Sequence, residues 1–476
     1  MIEHRAGVGG FQADSRPRDG TVTSRNSPFY SAPTDPRTEW TDALVRAARG
    51  LPPKDDTAQI FYEIRDDLRV EIGSDSEVST VATRLRGARV SRAAPRPWQT
   101  FLSAPSPLDL DGLVQGRVTG PGSSRADDSA AGDFGPDATR IVVWLEDLGH
   151  RFAALARGTR PTFAARWVGF RQRVYIGRPG GEVVTDLRAG ATVRLEVGVA
   201  GPSGLGRAAW EAVLRLPEEL PQLEDRLRTL LDRAHARLDG RLADPGPTPV
   251  VLAPGVGGVL VHELIGHALE ADTVLRGASW LGSAGSRIAP EGITIVDDPR
   301  RGRGAWKLDD EGVVCRVTPL VDAGRVGACL LDLDSAARCG RPPTGHGRRS
   351  SFREAVHPRM GCTFVAPGGL EPEEILLDTP DGIYVRRMRS ANTDARSGTA
   401  RFVVTDADRI DKGQLVHPLQ PFILEMRGAT ALASIDRVGS DLTFDTCIGS
   451  CVRDGQPLST SVGAPTLRIG VATVAG

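Results

Sequence analysis

His262-Glu263-Leu264-Ile265-Gly266-His267 places two imidazoles and a carboxylate close together in a stretch that continues to Glu270, Ala271 and Asp272. Neutral imidazoles are zinc ligands, and a nearby carboxylate can take the proton of a water held at an open coordination position. His262 and His267 offer the first kind of group and Glu263 the second. In the common H-E-x-x-H pattern the imidazoles are four residues apart, roughly 40° around a helix; a spacing of five puts them roughly 140° apart on an ideal helix. Both reach one ion only if the helix takes a one-residue π-type bulge or loosens, and Gly266, directly before His267, makes such a distortion cheap. The bland alternative is a buried helix carrying two incidental histidines among the eight of the chain.

Two imidazoles do not complete a catalytic site, so a further ligand is required. The candidates are Glu270, Asp272, His346, His357, His417, Cys447 and Cys451. Thiolate is the strongest zinc ligand among these types. Cys447 and Cys451 together would close a structural sphere of two His and two Cys, whereas one Cys alone leaves a position for water.

The elements that must position these groups belong to a 476-residue chain, long enough for two domains. Lys and Arg number 59 against 60 Asp and Glu, a balance that speaks against a general nucleic-acid binder. No apolar run approaches the roughly 20 residues of a membrane span, and Met1 to Asp19 shows no signal-peptide core, so a soluble, cytoplasmic protein is expected. All six cysteines fall in the C-terminal third without a dense framework, which favours thiols or ligands over disulfides.

Residues 1–36 read as a disordered leader, 37–219 as an N-terminal α/β domain with antiparallel strands, and 220–476 as a mainly-β domain around a central metal-binding helix, an α+β chain overall. Helices are expected over about Thr38 to Arg49, Asp137 to Arg157 and Leu220 to Leu238, from apolar residues three and four apart. Ile60, Tyr62 and Ile64, then Leu68, Val70 and Ile72, alternate on either side of Asp66-Asp67 and read as a hairpin. Ser74 to Pro136 carries no clear pattern. Trp167 to Val199 reads as an antiparallel meander. Short apolar runs at Pro249 to Leu252, Gly292 to Val296, Gly312 to Val317, Ala328 to Leu331, Gly382 to Val385, Ala400 to Val404 and Gln414 to Val416 read as strands of the second domain.

The segment Pro249 to Asp272 resembles the corresponding region of the TldD/PmbA metalloprotease family, on its catalytic, TldD side. So do Ile293 to Asp298, Asp309 to Gly312, Pro343 to Arg349, Pro358 to Met360, Gly382 to Tyr384, Val438 to Leu442, and Cys451 to Gln456 with Gly463 to Leu467. The resemblance implies His262, His267 and Cys451 as zinc ligands, Glu263 as the general base, and Cys447 as a bystander. It implies a zinc-dependent peptidase acting on unfolded or short peptides, leader removal or peptide maturation included. The expected partner is a related PmbA/TldE-like subunit in a heterodimer, or a second copy in a homodimer. The alternative is a non-catalytic regulatory subunit with a structural zinc. Arg348 and Arg349, which could pair with a peptide carboxylate, and His346 are further candidates for substrate contact, while Asp309, Asp310 and Glu311 read equally well as a solvated turn.

Overall fold

The computed structural model describes residues 37–53, 58–73, 77–92, 98–103, 109–115, 135–156, 161–202, 204–214, 223–444 and 450–475. The expected leader, the expected boundary at residues 219 and 220, and Cys447 lie outside them.

Six strands, β1 (Ala58–Ile72), β2 (Val78–Arg92), β3 (Trp98–Ser103), β4 (Thr162–Gly177), β5 (Val183–Gly201) and β6 (Gly204–Leu214), form one antiparallel sheet in the order β3-β2-β1-β4-β5-β6. Its two faces follow from the period of two along each strand. Ile60, Tyr62, Leu68 and Val70 of β1 turn to the helices α1 (Arg37–Arg49), α2 (Asp109–Val114), α3 (Gly135–Leu155) and α4 (Leu223–Ala236). Those helices present Leu44, Leu113, Leu145 and Leu231, buried residues of the two clusters on this face. Phe61 and Glu63 turn the other way, toward the rest of the molecule.

The hairpin expected within residues 60–72 is instead one continuous strand. Asp66 is not a turn residue: it accepts from Arg84 Nε of β2 at 2.6 Å, and Asp67 pairs with Arg65 at 2.9 Å. The acidic pair is thus neutralised on the sheet, and the true partner strand, β2, comes from the stretch without a readable pattern.

In the second half, β7 (Gly246–Leu252) lies between Asp381–Asp394, which runs parallel to it, and Leu467–Val474, antiparallel. Leu467–Val474 pairs with Phe422–Arg427, that strand with Thr399–Asp411, and Thr399–Asp411 returns to Asp381–Asp394. The circuit closes, forming a β-barrel that leaves no open edge within these five strands. Gly312 to Val317, expected to be extended, is followed by the actual strand, Thr318–Asp322. A second sheet carries Ile295–Asp297 and Cys362–Val365 at its centre.

α5 (Gly257–Val261) packs Val259, Leu260 and Val261 into the core that also holds Val385, Phe402 and Leu467 of the barrel. Its glycines allow this approach: a Cβ on Gly257 would lie 2.5 Å from Leu467 Cδ1, and one on Gly258 2.5 Å from the Gly463 nitrogen.

A buried polar network joins the two halves. Arg188 of β5 meets Asp310 at 2.5 Å with neither side chain exposed, and Phe352 donates its backbone N–H to Glu63 Oε1 at 2.5 Å. The Phe352 ring occupies the space a side chain on Gly87 would fill. Asp309 accepts from the backbone of Glu311, Val313 and Gly347. Asp309 to Glu311 is therefore a buried structural turn and not a solvated one.

Candidate metal centre

After α5 the backbone widens into a π-helical turn, His262–Gly266, then tightens into a 3₁₀ turn, His267–Leu269. The extra residue of the π turn brings the imidazoles, five apart in sequence, to ring centroids of 5.0 Å at 84°. Gly266 has ordinary helical angles, φ −55° and ψ −58°, so backbone freedom is not what its position demands. A Cβ there would lie 1.8 Å from Met360 Sδ. Glycine is needed so that Met360 can pack behind the turn.

Cys451 arrives from a hairpin formed by Ser450–Arg453 and Gln456–Ser459. Its Sγ lies 3.4 Å from His267 Nε2, and one ligand atom from each of His262, His267 and Cys451 falls within 4.8 Å of the others. Donors on a tetrahedral zinc stand about 3.4–3.6 Å apart, given Zn–N near 2.0–2.1 Å and Zn–S near 2.3 Å. The His267–Cys451 pair already stands at that separation, and the remaining pairs, all within 4.8 Å, would close by no more than about 1.4 Å around such an ion. The donor chemistry agrees, two imidazoles and one thiol, and His262 Nδ1 is buried without a hydrogen-bond partner.

Glu270 Oε2 lies 3.0 Å from His267 Nδ1, which fixes that ring with Nε2 toward Cys451. Burial disfavours charge on all three groups, yet the Glu270 and Cys451 charges hold His267 well above its usual range. In turn His267 and His262 hold the Cys451 thiol well below its own, and His267 with Arg453 and Arg359 keeps Glu270 low. The thiol is thus poised as thiolate, the form that binds metal.

Glu263 accepts a hydrogen bond from Thr393 Oγ1 at 2.6 Å, on the barrel strand Asp381–Asp394. His262, Glu263 and Cys451 open onto a cleft of about 960 Å³ between the halves, whose opposite wall is built by β5 and β6 through Arg194, Glu196 and Glu211. Arg194 pairs there with both glutamates, and Arg387 of the barrel side reaches Glu211 at 2.6 Å.

Residues 245–476 match the model of the PmbA/TldA metallopeptidase C-terminal domain. Residues 245–476 belong to the TldD/PmbA metallopeptidase family. The chain is similar to a metalloprotease of Methanothermobacter thermautotrophicus, 36% identical over 243 residues, 50% of this chain and 53% of that one. It is also similar to the zinc metalloprotease TldD homolog of Saccharolobus solfataricus, 30% identical over 253 residues, 52% of this chain and 56% of that one. The chain spans about half the length of these curated relatives. Among solved structures, TldE from Thermococcus kodakarensis shares the fold, with a TM-score of 0.70 over 92% of this chain and 100% of that one at 16% identity.

The structure brings His262, Glu263, His267 and Cys451 of this TldD/PmbA domain together. It does not bring His346, Arg348 and Arg349 to the cleft. His346 is fully buried, its Nε2 3.1 Å from Asp297 Oδ1 and its Nδ1 2.9 Å from Thr344 Oγ1. Arg348 stacks on Trp306 at 4.1 Å and Arg349 on Phe61 at 4.5 Å, both beside Asp310, within the network that joins the halves. Of the other ligand candidates, His357 lies 3.9 Å from Asp272 and His417 stands on the strand Gln414–Leu419. Thr393, Arg359 and Arg453 carry no sign of a role in the sequence, where Glu270 reads only as a candidate ligand. Glu270 carries a signal, three residues beyond His267 on one helical face; the other three reach the site only through long-range packing.

Proposed function

We propose that this chain is a zinc-dependent metallopeptidase hydrolysing short or unfolded peptides, with His262, His267 and Cys451 holding the ion and Glu263 as general base. The observation that carries the reading is the convergence of three donor side chains with a carboxylate at the floor of a peptide-sized cleft. When bound, zinc supplies the Lewis acidity that makes water a nucleophile near neutral pH.

The chain's own residues do the rest. Thr393 donates to Glu263 Oε2 and leaves Oε1 as the atom that takes the proton of the attacking water. As the peptide C–N bond breaks, Glu263 passes that proton to the leaving amine, so the carboxylate is restored and one water is consumed. A thiolate donor adds negative charge to the ion and moderates its Lewis acidity compared with three neutral imidazoles.

The relatives named metalloproteases support peptide as substrate, and leader removal or peptide maturation suits a cleft open to an extended chain. The fold shared with TldE supports a related subunit as partner, with a second copy of this chain as the alternative. Substituting Glu263→Gln tests the reading. Zinc content should be unchanged and peptide cleavage should fall by about 10²–10⁴-fold. Cleavage at the wild-type rate would remove Glu263 from the chemistry.

A further inference from the structure

Cys451 comes from a hairpin that makes a two-stranded sheet of its own, a unit with little independent stability. Something outside the hairpin must set the thiol against His267, 184 residues away in sequence. Two residues after Cys451, and so on the same face of the strand, stands Arg453. Its Nη1 lies 2.5 Å from Glu270 Oε2, and its Nη2 lies 2.6 Å from Asp272 Oδ2 and 3.2 Å from Thr273 Oγ1. Glu270 Oε2 is also the atom that orients His267. Arg359 reinforces the hairpin, donating from Nη2 to the Cys451 carbonyl at 2.8 Å and from Nη1 to the Gln456 carbonyl at 3.2 Å. The Arg453 side chain is only 11% exposed and Glu270 1%, so these contacts are shielded from the solvent screening that empties surface pairs of value.

We infer that Arg453 is a positioning residue of the metal centre: its fork on Glu270 and Asp272 docks the C-terminal hairpin, so that one carboxylate sets both the His267 ring and the Cys451 thiolate. The inference rests on the zinc reading above. Only a planar fork spans both carboxylates; a lysine ammonium, a point charge on a flexible stem, satisfies them less completely. Arg453 touches neither substrate nor ion and acts through Glu270 and the backbone that carries Cys451.

Cobalt(II) titration of the metal-free full chain reads this directly, because a coordinated thiolate gives a near-ultraviolet charge-transfer band that imidazoles do not. Arg453→Met should bind cobalt about 10–100-fold more weakly and lose most of the band at equal occupancy. Arg453→Lys should recover part of both. Asp272→Asn, which removes one of the two carboxylate contacts with little change of shape, should move affinity and band in the same direction by less, and serves where Arg453→Met does not fold. Wild-type affinity with a full band in folded Arg453→Met, or in Asp272→Asn if that is the variant available, overturns the inference while leaving the zinc reading intact. A wild-type chain whose cobalt complex shows no thiolate band, or whose band survives in Cys451→Ala, overturns the zinc reading itself.

Discussion

At the scale of single residues, the site depends on which atoms are already occupied. Glu263 has one oxygen held by Thr393, and His267 has one nitrogen held by Glu270, so each presents one defined atom to the cleft or the ligand cluster. Losing one orienting hydrogen bond is worth about 0.5–1.5 kcal/mol. Thr393→Val should therefore lower kcat about 2–10-fold with KM little changed in steady-state kinetics on a model peptide; an unchanged kcat would show that the threonine does not orient the base. His262, Glu263 and His267 are legible from type and spacing alone. Cys451 is legible only through the likeness of its surroundings to a family, since nothing within one sequence separates it from Cys447 as a ligand. Arg453 is not legible, because its value lies in contacts to residues about 180 positions earlier.

At the scale of elements, the π turn and the hairpin decide the geometry. The spacing of five required a widened helix, and the backbone supplies it. The glycine inside it was readable as a conformational aid, but its angles are ordinary and its reason is Met360. Gly266→Ala should destabilise the chain by about 1–3 kcal/mol through overpacking, measured by urea unfolding, and Met360→Ala in the same chain should return much of that loss. Equal additive losses in the double mutant would separate the two sites. Helices were legible here because each hides an apolar stripe, as Leu145, Leu148 and Phe152 do under α3. The long strand β1 was not, because Asp66 in its middle resembles a turn residue until Arg84 is known to face it. Pairing across strands is information a local pattern does not contain.

At the scale of the molecule, the cleft exists because two halves are locked together, and charge does much of the locking. Burial raises the Asp310 carboxyl, but Arg188, Arg348 and Arg349 overcome that and hold it at about 2. A carboxyl depressed in the folded chain contributes stability that is full above its unfolded value and is lost as pH falls through its folded one. Asp310 should therefore weaken the fold on acidification from about pH 4 to about pH 2. Asp309, pushed up by burial to about 6, has the opposite sign, and its contribution is already complete below its unfolded value of 3.8. In calorimetry, Asp310→Asn should lose about 1–3 kcal/mol at pH 6, because Arg188, Arg348 and Arg349 stay buried with one carboxylate fewer and Arg188 keeps only Asp186, at 3.4 Å, as its charge partner, and should show a shallower fall in Tm below pH 4 than the wild type. Parallel acid limbs in the two proteins would remove Asp310 from this role. The same network absorbs Arg348 and Arg349, which explains why two adjacent arginines that suit a peptide carboxylate are spent on joining the halves. Among the described residues no helix is long and apolar enough to cross a membrane.

The identity of the ligands is the claim on which the rest stands, and zinc-edge X-ray absorption on the purified, zinc-loaded full chain measures it without recourse to activity. The expected spectrum has one sulfur at about 2.3 Å, two imidazole nitrogens at about 2.0–2.1 Å and one further light atom. The sulfur contribution should vanish in Cys451→Ala. A zinc shell with no sulfur, or one whose sulfur persists in that variant, would contradict the assignment of His262, His267 and Cys451.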